Sequence, residues 1–170
     1  LFYISSNALS SRFIYDESFK TPLIIKWPNV IKPGTKSEEM VQNLDFAQTF
    51  LEAAMIDQPN DMQGESLIPL LKGDFENWNR EAVYYHYYEY PSVHMVKRHY
   101  GIVSKEFKLV HFYNDIDEWE LYDRLKDPNE MKNVYNNPEY EKVVKKLTED
   151  LKQMRIQYGD SDLLDKSFIY

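Results

Sequence analysis

Cysteine is absent from the 170 residues, so no disulfide and no thiolate metal site can form, and the redox compartment is left open. Long apolar runs are missing too. The longest, such as Pro22-Leu23-Ile24-Ile25, falls far short of the about 20 residues a membrane-spanning helix needs. Positive charge is in deficit: 20 Lys and Arg stand against 28 Asp and Glu, for a net charge of −8. That balance opposes broad attraction to nucleic acid, anionic lipid or a polysulfated glycan, so binding an anion needs a local basic exception. The start of the chain carries no basic segment followed by a cleavage site, and Leu1 lies inside an apolar run, which reads as a cut or altered edge. There are no internal repeats.

What is present suffices for one domain or two small ones, with most apolar surface buried. Aromatics reach 15 %, with 14 Tyr, a composition that suits half-buried pleated surfaces and sugar-facing walls alike. Leu1 to Ile4 reads as a short buried strand. Pro22 to Trp27 reads as a second strand, continuously apolar like one covered on both faces in a parallel α/β sheet. Val41, Leu44, Ala47, Phe50, Leu51, Ala54 and Met55 recur at helical spacing and predict an amphipathic helix. A short helix capped by Ser66 and ended by Gly73 follows. Texture changes around residues 74–81. Beyond it come a tyrosine-rich strand over 82–90, a hairpin of 99–103 and 107–112 around Ser104-Lys105-Glu106, and a strand over 118–123. Asn137-Pro138 caps a long helix with the stripe Val143, Val144, Leu147, Leu151, Met154 and Tyr158, closed by Gly159. The expected fold class is α/β (α+β): the end of an α/β domain over 1–76, then an antiparallel sheet packed by one long helix over 77–170.

The run Glu120-Leu121-Tyr122-Asp123-Arg124-Leu125-Lys126-Asp127-Pro128-Asn129-Glu130-Met131-Lys132-Asn133-Val134 is the most specific stretch. Taken alone it is a strand and a forced turn, with Asp123 and Asp127 placed to accept bonds from nearby backbone donors and Pro128 fixing φ. It resembles the C-terminal signature of the type I, formylglycine-dependent sulfatases, departing only at Arg124 and Val134. Further segments similar to that family follow in order from Tyr15-Asp16-Glu17-Ser18 through Val41-Gln42-Asn43-Leu44-Asp45 and Gly64-Glu65-Ser66-Leu67 to Phe107-Lys108-Leu109-Val110. The resemblance implies the end of an alkaline-phosphatase-like α/β domain followed by the small closing domain. It also implies hydrolysis of sulfate esters of glycans, as in N-acetylglucosamine-6-sulfatases, mucin-desulfating enzymes and arylsulfatases.

The chemistry that such a resemblance implies is a formylglycine made from a Cys or Ser, calcium held by carboxylates and an amide, and Lys and His groups that balance charge. The maturation motif (Cys or Ser, any residue, Pro or Ala, any residue, Arg) does not occur in this chain. In Tyr3-Ile4-Ser5-Ser6-Asn7-Ala8-Leu9-Ser10-Ser11-Arg12, Asn7 matches the amide ligand, Ser6 stands where the family has a calcium Asp, and Ser11 where it has the catalytic Lys. A neutral hydroxyl does not replace a carboxylate on a hard cation. The expectation is therefore a chain with no catalytic residue and no metal ligand of its own, inactive alone. Calcium is expected only in the complete family enzyme, with none bound here. Asn114-Asp115-Ile116-Asp117-Glu118 lacks the Gly and distal Glu of an EF-hand loop and reads as a solvated turn.

Tyr84 to Gly101 is similar to the part of glycan sulfatases that helps frame the sugar pocket. His94, Lys97, Arg98 and His99, interleaved with tyrosines, form the basic exception and are the candidate substrate-binding residues. His86 and His111 read as packed and structural. Expected partners are a sulfated saccharide in the complete enzyme, the missing N-terminal catalytic portion, and a second copy through exposed sheet, with neither nucleic acid nor membrane. The resemblance implies periplasmic or secreted location, although the chain carries no signal. The competing reading is a non-catalytic carbohydrate-binding or interaction module from a degenerate sulfatase.

Overall fold

The computed structural model describes residues 3–4, 13–91 and 95–167. It divides into two compact units, one of residues 1–4 with 23–81, the other of residues 5–22 with 82–170.

In the first unit β1 (Tyr3–Ile4) pairs antiparallel with β2 (Leu23–Ile24). The parallel, doubly covered strand expected over 22–27 is thus a two-residue antiparallel bridge, and Ile24 is 63 % exposed. An apolar run alone does not separate a core strand from the rim of an incomplete sheet. Helix α2 spans Leu44–Ala53 and α3 spans Ile68–Leu71, with the Ser66 hydroxyl accepting from the Ile68 amide at 3.2 Å and Gly73 at φ +86°. Leu67, Leu70 and Trp78 form a small core, supported by Leu23, Ile25, Val41, Phe46 and Leu71. The organising group is Asp45, fully buried. It accepts from the Gln42 amide at 2.6 Å, the Glu65 amide at 2.9 Å and both guanidinium nitrogens of Arg80. The chain passes α2 so closely at Gly64 that a Cβ there would sit 2.3 Å from the Leu44 carbonyl oxygen, a backbone atom that has no room to yield.

In the second unit, α1 (Asp16–Phe19) precedes a four-stranded antiparallel meander of β3 (Ala82–Tyr87), β4 (His99–Ser104), β5 (Phe107–Phe112) and β6 (Glu118–Asp123). The Ser104 hydroxyl closes the β4–β5 turn, accepting from the Phe107 amide at 2.9 Å and donating to its carbonyl at 3.0 Å. A 3₁₀ turn (Pro138–Tyr140), capped by the Asn137 side chain, feeds α4 (Glu141–Gln157), and α5 (Asp162–Ser167) follows Gly159, at φ +70°.

Strand alternation sends side chains to two covered faces. Toward α4 point Tyr100, Ile102, Leu109 and Leu121, which meet Leu147 and Leu151; Val143, Val144 and Met154 pack at the margin, and Tyr158 stacks on Tyr84. The opposite face receives residues 13–19. There Gly101 lets the Ile14 side chain and the Leu109 carbonyl approach within the space of a Cβ, and Phe13 stacks on His99. Leu109 and Val110 are consecutive in β5 and both fully buried, as a strand covered on both faces requires.

The outer edge of β6 is closed by the signature run. The Asn133 side chain accepts from the Leu121 amide at 3.0 Å and donates to the Trp119 carbonyl at 3.1 Å, and the Val134 amide donates to the Leu121 carbonyl at 2.9 Å. The two signature aspartates accept backbone bonds as expected, Asp123 from Lys126 at 3.0 Å and Asp127 from Lys132 at 2.7 Å.

Candidate functional site

The basic segment lies between β3 and β4, and Tyr90 is its hub. The Lys97 ammonium sits 3.8 Å from the centre of the Tyr90 ring and donates to its hydroxyl. The Arg98 guanidinium lies 5.6 Å from the same ring, donates to the Tyr90 carbonyl and approaches Asp115 at 3.4 Å. Two cations beside one aromatic ring are held there by its quadrupole and by oxygen acceptors. Lys97 is half-buried, whereas Arg98 is only 2 % exposed and His99 fully buried. His99 is enclosed by Phe13, Tyr85, Tyr87 and Phe112, with Nδ1 2.8 Å from the Lys97 carbonyl. That burial pushes its pKa down to about 4, the Lys97 carbonyl bond opposing it in part, so the ring is neutral at pH 7. His94 lies outside the described residues, as do Ser6, Asn7 and Ser11. The structure therefore brings Lys97, Arg98 and His99 into one stretch of chain in which Lys97 is the most open group.

Two features of this unit were not singled out from sequence. The first is Tyr90 as a common acceptor. The second is a buried ion cluster beneath the sheet. Lys108, fully buried, bonds Asp16 at 2.7 Å and pairs its charge with Glu130 at 2.5 Å; Arg124 bonds Asp16 at 2.7 Å; and the Asp16 amide donates to Glu130 at 2.8 Å. Nearby, the Tyr15 hydroxyl donates to Glu120 at 2.8 Å. Burial raises the Asp16 carboxyl pKa, but the bonds from Lys108 and Arg124 outweigh it and hold the group below its usual range. The signal in the sequence is Lys108 inside an otherwise apolar strand.

On the α4 side, His86 Nδ1 lies 3.0 Å from Asp160 and Nε2 lies 2.5 Å from the Tyr113 hydroxyl. His111 bonds Tyr100 and Asp117 and stacks on Trp119 at 4.0 Å. Both histidines are thus packed and hydrogen-bonded. His86, Asp160 and Asp165 converge closely enough to suggest a metal. Arg155 takes that role: its guanidinium bonds Asp160 at 3.2 Å, Asp162 at 2.8 Å and Asp165 at 2.7 Å. The sulfatase family uses calcium. This donor set, already balanced by a guanidinium and with both ring nitrogens engaged, does not fit it.

An antiparallel meander closed by Asn133, backed by one long helix and underpinned by the Tyr15-Asp16 segment, has the build of the closing domain of a sulfatase. A sequence model of the family described as N-sulphoglucosamine sulphohydrolase, C-terminal, matches residues 7–157. The chain belongs to this family, within the sulfuric ester hydrolases. It is similar to an N-acetylglucosamine-6-O-sulfatase of Bacteroides thetaiotaomicron, 49 % identical over 93 % of this chain and 29 % of the relative. An ulvan-active sulfatase of Formosa agariphila is 29 % identical over 93 % of this chain and 37 % of its own length. A protein solved in complex with its substrate D-glucosamine-2-N,6-O-disulfate superposes with a TM-score of 0.84 at 51 % identity, over 89 % of this chain and 31 % of that one. The chain thus spans about a third of the length of these relatives.

Proposed function

We propose that this chain is the C-terminal part of a sulfatase that hydrolyses sulfate esters of glycans, with a 6-sulfated glucosamine unit as the substrate class. The observation that carries this reading is the 49 % identity, over 93 % of the chain, to an N-acetylglucosamine-6-O-sulfatase. In the complete enzyme the stretch from Tyr90 to His99 forms part of the sugar-pocket wall. Lys97 contacts the sulfate and His94 is a further candidate from the sequence alone, while Arg98 and His99, both buried, anchor the chain beside Lys97. The nucleophile and the other calcium carboxylates come from the preceding portion, since this chain holds no maturation motif and the resemblance puts Ser6 and Ser11 where the family has a calcium Asp and the catalytic Lys. The complete enzyme works in the periplasm or outside the cell, as the family resemblance suggests.

A chimera tests this. It carries the Bacteroides relative up to the residue matched by Arg12, and this chain from Phe13 onward. The expected result is sulfate release from 6-sulfated N-acetylglucosamine with calcium present, and none from this chain alone. Lys97→Ala in the chimera removes a charge-assisted bond of about 1.5–3 kcal/mol, so kcat/KM falls roughly tenfold to a hundredfold. A folded chimera without turnover, or turnover by the isolated chain, overturns the reading. Ser6 and Ser11 favour a second reading, a non-catalytic sugar-binding module. It requires the isolated chain to bind a sulfated saccharide, with heat in a titration that Lys97→Ala diminishes.

A further inference from the structure

Lys97 is restrained without being neutralised. Its ammonium lies 3.8 Å from the centre of the Tyr90 ring and donates to the Tyr90 hydroxyl. A ring quadrupole and an oxygen lone pair attract the cation without bringing an opposite charge to it. Among the described residues no carboxylate pairs with Lys97. Arg98 beside it is treated otherwise: it is 2 % exposed and has Asp115 at 3.4 Å to meet its charge. Of the two cations near Tyr90, one is thus matched inside the protein, and the other keeps its charge for a ligand. The backbone at Lys97 is already fixed, because Val96 and Arg98 are buried on either side of it and His99 follows, fully buried. The Arg98 guanidinium also donates to the Tyr90 carbonyl, which draws the end of the β3 side of the loop against the start of the β4 side and brings the ring alongside Lys97. What the backbone leaves loose is the four-carbon stem of Lys97, whose rotamers must be narrowed before its head can meet one anionic group at one place.

We infer that Tyr90 is a positioning residue for substrate recognition: it braces Lys97 toward the sulfate through neutral contacts, so the ammonium is aimed before the sugar arrives and its charge is unmatched when it does. The inference deepens the reading of Lys97 as a sulfate contact and rests on it. A carboxylate in place of the ring would aim the lysine but cancel the charge that recognises an anion. An aliphatic side chain would leave the charge unmatched but the stem free to wander. An aromatic ring with a hydroxyl at its edge satisfies both demands, and the bond from Arg98 to the Tyr90 backbone keeps that ring in place.

Two measurements test this, one of them independent of catalysis. In the isolated chain, acylation of Lys97 by an amine-reactive ester is timed by peptide mass spectrometry against Lys142, an exposed lysine of α4. Lys97 reacts when its stem swings off the ring, so it is expected to react about two- to fivefold more slowly in the parent than in Tyr90→Leu. Tyr90→Phe keeps the ring, loses the hydroxyl and retains most of the protection. Tyr90→Leu still offers Arg98 its backbone carbonyl, and its circular dichroism should match that of the parent. Lys97 as reactive as Lys142 in the parent, or no faster in Tyr90→Leu, overturns the proposal. In the chimera, Tyr90→Leu is expected to lower kcat/KM about two- to thirtyfold, Tyr90→Phe by less. In the Lys97→Ala background Tyr90→Leu is expected to cost nothing more, since the ring acts through the lysine. A further loss in that background gives the ring a separate structural role and overturns the proposal. Full activity of Tyr90→Leu beside a crippled Lys97→Ala overturns it as well, and leaves the sulfate contact standing. Turnover unaffected by Lys97→Ala overturns the sulfate contact itself, and the proposal with it.

Discussion

Lys108 is the residue on which the second unit turns. A fully buried ammonium is costly unless paired, and here Asp16 and Glu130 stand at 2.7 and 2.5 Å. Removing the cation leaves Glu130, whose remaining cation is Arg124 at 3.7 Å, under-compensated inside the protein. Lys108→Met is therefore expected to lower stability by about 3–5 kcal/mol in urea unfolding. Adding Glu130→Gln should restore part of the loss, because the orphaned charge goes with it. His99 governs a separate property. Its folded pKa of about 4 lies below the ordinary 6.5, so the unfolded chain binds the proton more readily. The neutral ring's contribution is intact above pH 6.5 and is lost as pH falls toward 4, on the order of 2–3 kcal/mol. His99→Phe preserves the stacking with Phe13 and Phe112 and should lose less stability between pH 7 and 4.5 than the parent chain. Equal losses would show that other groups carry the effect. The depth of His99 and Arg98 was not legible from the sequence. A run of basic letters gives charge, and only strand register turns the ring inward.

Among the elements, those whose own residues set their boundaries were read correctly. The β4–β5 hairpin follows from two alternating runs around Ser104-Lys105-Glu106, and α4 from Asn137-Pro138, its stripe and Gly159. β2 was read with the right polarity and the wrong surroundings, and α2 was read as amphipathic with no surroundings assigned. Periodicity says which side of a helix is apolar, not whether anything in this chain covers it. The edge of β6 illustrates the opposite case, where a side chain substitutes for a strand. Asn133→Ala withdraws both the acceptor of the Leu121 amide and the donor to the Trp119 carbonyl. The expected cost is about 1–3 kcal/mol, with faster hydrogen exchange at Leu121 than at Leu109, which lies inside the sheet. Unchanged exchange at Leu121 would refute this role for Asn133.

At the scale of the whole molecule, a net charge of −8 keeps copies apart while the exposed apolar edge at Ile24 draws them together. Raising salt screens the repulsion and spares the apolar contact. The isolated chain is therefore expected to self-associate, more strongly at 1 M than at 0.1 M salt. A monomer by light scattering at both salt concentrations would contradict this.

The second unit gathers residues 13–19 and 82–165 around one sheet, although some sixty residues of chain separate them. Anyone recombining sulfatases to transplant sugar preference meets this directly. A graft cut cleanly at residue 82 would carry Lys108 without Asp16, and Gly101 without the Ile14 that fills its gap. The heritable parcel is discontinuous: two stretches of gene must travel together, or be matched to each other in the recipient, for one small sheet to arrive intact.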